Sequence, residues 1–61
     1  MQDFRAGDKV TLTPSMKRAA KHPEKYEVGV VTGVGAWSNV YVKWNGIDRV
    51  IGVLSHEIVH L

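Results

Sequence analysis

The sequence contains no cysteine, which excludes disulfide bonds and thiolate metal sites. It has only two prolines and five aromatic residues, and no apolar run is long enough to predict a membrane-spanning helix. The first residues lack the apolar stretch of a signal peptide, which favours a cytoplasmic location. The 61 residues suffice for one domain, 1–61, and they leave no room for a large internal ligand cavity.

Charge is unevenly distributed along the chain, although the net charge is only +2. Residues 1–26 carry six cations and three acids, whereas residues 27–61 carry two cations and three acids. The excess lies mostly between residues 16 and 25. A local basic patch attracts polyanions, and the alternative is a solvated loop that keeps the protein in solution.

Alternating apolar and polar residues predict five short β-strands, at residues 8–13, 26–34, 40–44, 47–53 and 58–61. The third strand is the clearest, because Val40, Val42 and Trp44 share one face. Gly29 and Gly33 predict bends or a bulge in the second strand, as the corners of a small barrel require.

The connections between these strands also contain residues that predict their local structure. Residues 15–25 predict a long, partly helical loop, with a short helix at 16–21 that Ser15 caps. Asn45-Gly46 predicts a tight hairpin turn, because both residues tolerate positive φ. Residues 54–57 predict a single helical turn before the last strand.

Several short motifs carry a resemblance to a known superfold: Gly7-Asp8-Lys9-Val10, Gly29-Val30-Val31, Val40-Tyr41-Val42-Lys43-Trp44-Asn45-Gly46, and Leu54 with Ile58. With the order of elements, they resemble SH3-like small β-barrels such as the KOW, Tudor-like and Mind bomb-type barrels. The resemblance implies an all-β fold, a single five-stranded SH3-like barrel with a long, partly helical first loop and a short helical turn before the last strand. Gly and Val at these positions serve turns and core, so the resemblance implies a fold and not a ligand.

The chain departs from two ligand-binding classes within this superfold. Tudor domains that read methyl-lysine use a cage of several aromatic side chains, whereas this chain has five aromatics and Trp44 is expected partly in the core. SH3 domains that bind proline-rich peptides use an acidic loop and paired tryptophans, which this sequence lacks.

The segment His56-Glu57-Ile58-Val59-His60 matches the H-E-x-x-H pattern of zinc proteases. That chemistry needs a sustained helix, but the β-branched Ile58 and Val59 favour a strand. We therefore predict a final turn and strand here, with Ile58 or Val59 inward and both histidines at the surface. No catalytic residue, metal site or cofactor is predicted.

The candidate ligand-binding residues are Lys17, Arg18, Lys21, Lys25, Tyr26, Trp37, Tyr41 and Lys43. Trp37 lies in a loop beside a glycine, and Tyr41 and Lys43 face away from the predicted core. The resemblance implies that the first loop and the loop after the second strand border one groove. That groove would place the cations beside Trp37 and Tyr41. The alternative for Trp37 is that it folds over an open end of the barrel.

Aromatic side chains beside cations stack on bases and hold phosphates, and the same set binds an acidic or extended peptide. We therefore expect a non-enzymatic accessory binding module, with nucleic acid ahead of protein as its partner. The alternative is a protein–protein adaptor or assembly subunit, a homo-oligomer included. No membrane and no small-molecule substrate is expected, and a short barrel suits a bacterial or phage accessory protein. A continuous basic face would favour nucleic acid, and an apolar patch would favour protein.

Overall fold

The computed structural model describes residues 3–61 and is mostly β. Its strands are β1 (Lys9–Leu12), β2 (Gly29–Val34), β3 (Asn39–Trp44), β4 (Val50–Leu54) and β5 (Ile58–His60). Helix α1 spans Pro14–Ala19, and two 3₁₀ turns span Pro23–Tyr26 and Ser55–Glu57. No helix within residues 3–61 has the length and apolarity needed to cross a bilayer.

The five strands form one antiparallel sheet in the order β4-β3-β2-β1-β5. The prediction of five strands, a partly helical first loop and a helical turn before the last strand is confirmed. The sheet is not closed into a barrel, because no hydrogen-bonded pairing within the described chain joins β4 to β5. β5 has only three residues, and a 3₁₀ turn separates it from β4.

The sheet curls around one hydrophobic core to which several strands contribute. The buried apolar side chains are Phe4, Val10, Leu12, Val31, Val40, Val42, Trp44 and Ile58. Alternation along β3 directs Val40, Val42 and Trp44 inward, as predicted. Ile58 is also inward, which confirms the prediction for the last strand.

The long first connection differs from the sequence prediction at its boundaries. Helix α1 begins at Pro14 rather than at residue 16, and Thr13 caps it in place of Ser15 by accepting a hydrogen bond from the Met16 amide. Proline fits the first helical position, where no amide donor is needed. β2 begins at Gly29 rather than at residue 26, because the first 3₁₀ turn occupies Pro23–Tyr26.

The two predicted irregularities of β2 have different outcomes. The register with β3 shifts between Val31 and Gly33, which leaves Thr32 as an extra residue and confirms a bulge. Gly29 serves close packing instead, because a Cβ there would lie 2.5 Å from Val42 Cγ1 and 2.7 Å from Trp44 Cε3.

The turn predicted at Asn45-Gly46 is present, since the Ile47 amide donates to the Trp44 carbonyl at 3.1 Å across these two residues, but it is not the two-residue hairpin with positive φ that was predicted. Neither residue has positive φ, and β4 begins only at Val50 rather than at residue 47. A Cβ on Gly46 would lie 2.8 Å from Lys25 Cα, so the glycine permits a close approach of the first connection. Glycine is required at position 46 by this close contact and not by a positive φ.

Candidate binding face

The side of β2, β3 and β4 that faces away from the core is largely apolar. Cross-strand register places Val30, Lys43 and Val50 in one row, Tyr41 opposite Gly52, and Asn39 opposite Leu54. Directly paired residues share a face of an antiparallel sheet. We call the surface formed by Val30, Tyr41, Lys43, Val50 and Leu54 the outer face. Its four apolar members are all exposed.

Tyr41 lies at the middle of the outer face. A Cβ on Gly35 would lie 3.0 Å from Tyr41 Oη, and a Cβ on Gly52 would lie 3.5 Å from Tyr41 Cε1. The ring therefore lies against two positions that carry no side chain, and 43% of Tyr41 remains exposed. A rigid aromatic held in this way makes contact area available at low cost in side-chain entropy.

Trp37 lies in the loop that joins β2 to β3 and is 91% exposed. Its φ is 61° and that of Ser38 is 64°. The Asn39 amide donates to the Ala36 carbonyl at 3.2 Å, so Trp37 and Ser38 occupy the central positions of a turn that matches type I′ in φ. The Asn39 side chain donates to the same carbonyl at 2.8 Å and fixes the turn. The alternative that Trp37 covers an open barrel end does not hold, because the side chain contacts mainly solvent.

Lys43 is half-buried, and its ammonium group donates to the Trp44 carbonyl at 3.0 Å and to the Ile47 carbonyl. The charge therefore binds the backbone of the connection after β3. Another lysine, Lys9, borders the outer face, since it pairs with Val30 on the β1 side.

The four cations of the first connection lie in and after α1. Lys17 and Arg18 are in the last turn of α1, and Arg18, Lys21 and Lys25 are exposed. Lys25 lines a cleft of about 450 Å³ between the first 3₁₀ turn and the start of β4, together with His22, Tyr26 and Arg49. Asp48 also lines this cleft, so its charge is mixed.

The structure places two of the predicted binding residues far from Trp37. Tyr26 packs edge-to-face on Trp44, with ring centroids 5.4 Å apart at 78°, and Lys25 lies against Gly46. Both contacts are at the end of β3, whereas Trp37 precedes its start. Six strand residues span roughly 17 Å. Trp37 therefore lies at the opposite end of β3 from the contacts of Lys25 and Tyr26, and the Tyr41 ring lies against Gly35 of the loop that carries Trp37.

The H-E-x-x-H residues occupy a turn and a strand rather than a helix. Glu57 Oε1 accepts a hydrogen bond from the Leu54 amide at 2.8 Å, and His60 stacks on Phe4 with ring centroids 4.5 Å apart. His60 Nε2 lies 3.1 Å from Asp8 Oδ2. Across residues 3–61, no three His, Cys, Asp or Glu side chains lie close enough together to hold a metal ion.

Asp8 fixes the start of β1. Its carboxylate accepts a hydrogen bond from the Arg5 amide at 2.9 Å. That bond, followed by the contact with His60, lowers the pKa of Asp8 below its ordinary value of 3.8. The group therefore has a structural role in its ionised form.

Val30 on β2, with Val50 and Leu54 on β4, are the outer-face residues that the sequence analysis missed. Val50 and Leu54 alternate with Ile51 and Val53, but an apolar run such as that of β4 indicates core rather than surface. Comparisons of the chain with profiles of protein families, with curated protein sequences and with solved structures found no match.

Proposed function

We propose that this chain is a protein-binding module that acts through the outer face and Trp37. The observation that carries the proposal is the exposure of Trp37 on a turn that disfavours it. Type I′ turns favour Asn and Gly, because their two central residues need positive φ. A tryptophan at such a position contributes nothing to the core and costs backbone energy. We therefore infer that its role is in binding rather than in stabilising the fold.

Strained residues that packing does not explain occur most often at functional sites. Tryptophan is also the side chain most enriched among residues that dominate binding energy at protein interfaces. Trp37 therefore acts as an anchor that enters a pocket of the partner. Tyr41 and the aliphatic side chains of the outer face supply the surrounding contact area.

The chemistry of the outer face favours protein over nucleic acid. Its exposed apolar side chains are Val30, Tyr41, Val50 and Leu54. The ammonium of Lys43 is occupied by backbone carbonyls, and the exposed Lys9 lies at the border of the face. Phosphate binding needs available cations, and a partner surface with apolar side chains needs none. The partner that fits is thus a protein surface with apolar side chains and a pocket for an indole ring.

Nucleic acid is the second candidate and involves a different surface. The ion pairs found within residues 3–61 are His22 with Glu24 and His60 with Asp8, so no lysine or arginine in that range is neutralised by an acid. Arg18, Lys21 and Lys25 are exposed and available for phosphates. Stacking by Trp37 would not add to phosphate binding at Lys25, because these two residues lie at opposite ends of β3.

At the level of the fold, we infer that the curled sheet is an open member of the SH3-like barrels. The strand order, the bulge in β2 and the 3₁₀ turn before β5 support this inference. The fold assignment does not bear on the choice between the two partners.

Two matched variants separate the two candidates. Trp37→Ser removes the anchor, and the double variant Arg18→Glu, Lys21→Glu reverses two cations of the first connection. All three residues are exposed, so we expect both proteins to fold. Each variant is compared with the unmodified chain for capture of proteins from a nuclease-treated lysate of the native host. Each is also titrated with labelled single- and double-stranded oligonucleotides by fluorescence anisotropy.

We expect Trp37→Ser to weaken protein capture by about 30-fold, the effect of losing about 2 kcal/mol at an anchor residue. The charge variant should capture as much protein as the unmodified chain, and oligonucleotides should show no binding at about 50 μM protein. The proposal would be contradicted if the charge variant lost protein capture while Trp37→Ser retained it. Salt-sensitive oligonucleotide binding by the unmodified chain that the charge variant loses would instead favour nucleic acid as the partner.

A further inference from the structure

We infer that a second copy of this chain binds along the open edge of β4, so that two sheets join into one through antiparallel β4–β4 pairing. This inference concerns the strand edge and does not require Trp37. A result that contradicts this inference therefore leaves the proposed function untouched, and the reverse also holds.

The hydrogen-bond pattern of β4 leaves alternate residues facing outward. The Ser55 amide donates to the Ser38 carbonyl at 2.9 Å, which makes residues 38 and 55 a hydrogen-bonded pair. In an antiparallel ladder such pairs alternate, so Ile51 and Val53 direct their backbone groups to β3. Val50, Gly52 and Leu54 direct theirs to the open edge.

β4 lacks the features that normally protect an edge strand. Proteins protect edges with charged side chains, proline or bulges, and the strand Val50–Leu54 contains none of these. Among the backbone hydrogen bonds of residues 3–61 outside the strand ladders, none involves the Val50 or Gly52 amide. One protecting contact lies just after the strand, because the Glu57 carboxylate accepts the hydrogen bond of the Leu54 amide and so removes that donor from the edge.

The strand is self-complementary about Gly52. Antiparallel pairing centred there places Val50 opposite Leu54 of the second copy on the outer face, and Ile51 opposite Val53 on the inner face. Every side-chain pair is then apolar with apolar, and the two glycines meet at the two-fold axis. Such a contact is closed and limits the assembly to two copies.

The same register aligns the free backbone groups. Gly52 of each copy donates to Gly52 of the other, and the Val50 amide of each donates to the Leu54 carbonyl of the other. These four hydrogen bonds form while Glu57 keeps its bond to the Leu54 amide. Antiparallel pairing also brings Arg49, before the strand, toward Glu57 of the second copy, after it, so the flanking charges are opposite in sign.

Matched variants test this edge. Gly52→Pro removes an amide that faces outward and leaves the β3 ladder intact. Val50→Lys places a charge at the edge. Val30→Lys is the control, because Val30 lies in the same outer-face row and is similarly exposed, at 40% against 50%, but belongs to an interior strand. Trp37→Ser serves as the control for the proposed function.

The measurement is sedimentation equilibrium up to about 1 mM protein. We expect a reversible dimer, twice the 6.8 kDa chain mass, with a dissociation constant in the micromolar range, as a small interface gives. Gly52→Pro should raise that constant by about 30-fold through loss of two hydrogen bonds. Val50→Lys should weaken it as well, whereas Val30→Lys and Trp37→Ser should leave it unchanged.

Amide hydrogen exchange of the unmodified chain tests the same edge without any substitution. The Val50 and Gly52 amides should exchange more slowly as concentration rises, while those of Ile51 and Val53 should be protected at every concentration. A chain that stays monomeric up to about 1 mM would overturn the inference. So would assemblies larger than a dimer, or concentration-dependent protection that spares Val50 and Gly52.

Discussion

Trp37 and Ser38 are the non-glycine residues with positive φ in the described part of the chain. Each costs on the order of 1 kcal/mol relative to a residue suited to that conformation. A small chain has a thin stability margin, so a cost of this size is a large fraction of the total. The sequence did not indicate this turn, because its residues have none of the usual type I′ preferences.

Asp8 gives a prediction for acid stability. Its pKa is lowered in the folded chain, so its stabilising effect is fully present above the unfolded pKa, near 3.8, and is lost as the pH falls through the lower folded value. We expect the free energy of unfolding of the unmodified chain to decline below about pH 4. Asp8→Asn should remove much of that decline. Urea unfolding of both proteins between about pH 2 and pH 6 measures this, and equal slopes would show that Asp8 contributes nothing.

Gly29 and Gly33 give a matched pair of packing predictions. Gly29→Ala forces a Cβ against Val42 and Trp44 in the core, which should cost roughly 1–3 kcal/mol of unfolding free energy. Gly33→Ala meets no atom within 4 Å, so it should change stability by less than about 0.5 kcal/mol. Thermal or urea unfolding compares them, and equal losses would contradict the packing described here.

At the scale of elements, the sequence pattern predicted the features that depend on neighbouring residues. Features that depend on contacts between distant parts of the chain were not predicted. The inward face of β3, the bulge near Gly33 and the turn before β5 followed from the residues themselves. Asn45-Gly46 forms a turn but not a two-residue hairpin, and the need for glycine at position 46 comes from Lys25, 21 positions earlier. The separation of Lys25 from Trp37 depends on that same contact, so the sequence could not predict it.

Lys43 gives a prediction for the connection after β3. Its ammonium bonds to the Trp44 and Ile47 carbonyls, so we assign it to holding this connection rather than to binding a ligand. Lys43→Met keeps the aliphatic stem and removes those bonds, which should cost roughly 1 kcal/mol of stability. Chemical unfolding measures the cost. A variant as stable as the unmodified chain, or one that alters oligonucleotide binding, would contradict this assignment.

At the scale of the whole molecule, the surface is divided by chemistry. The outer face presents four exposed apolar side chains, and the first connection carries the exposed cations Arg18, Lys21 and Lys25. The sequence analysis grouped Lys25 with Trp37 in one site, because it could not show that Lys25 lies at the far end of β3. The apolar face and the open edge of β4 are the features behind our two proposals, that this chain binds a protein partner and a second copy of itself.

The most direct test of the central claim, that Trp37 is displayed for binding, is the double variant Trp37→Asn, Ser38→Gly. These residues suit the turn, so we expect the free energy of unfolding to rise by about 1–2 kcal/mol while protein capture is lost. Stability and capture are measured on the same preparation, against the unmodified chain. A variant that is less stable would show that Trp37 serves the fold, and a variant that still captures protein would show that Trp37 is not the anchor.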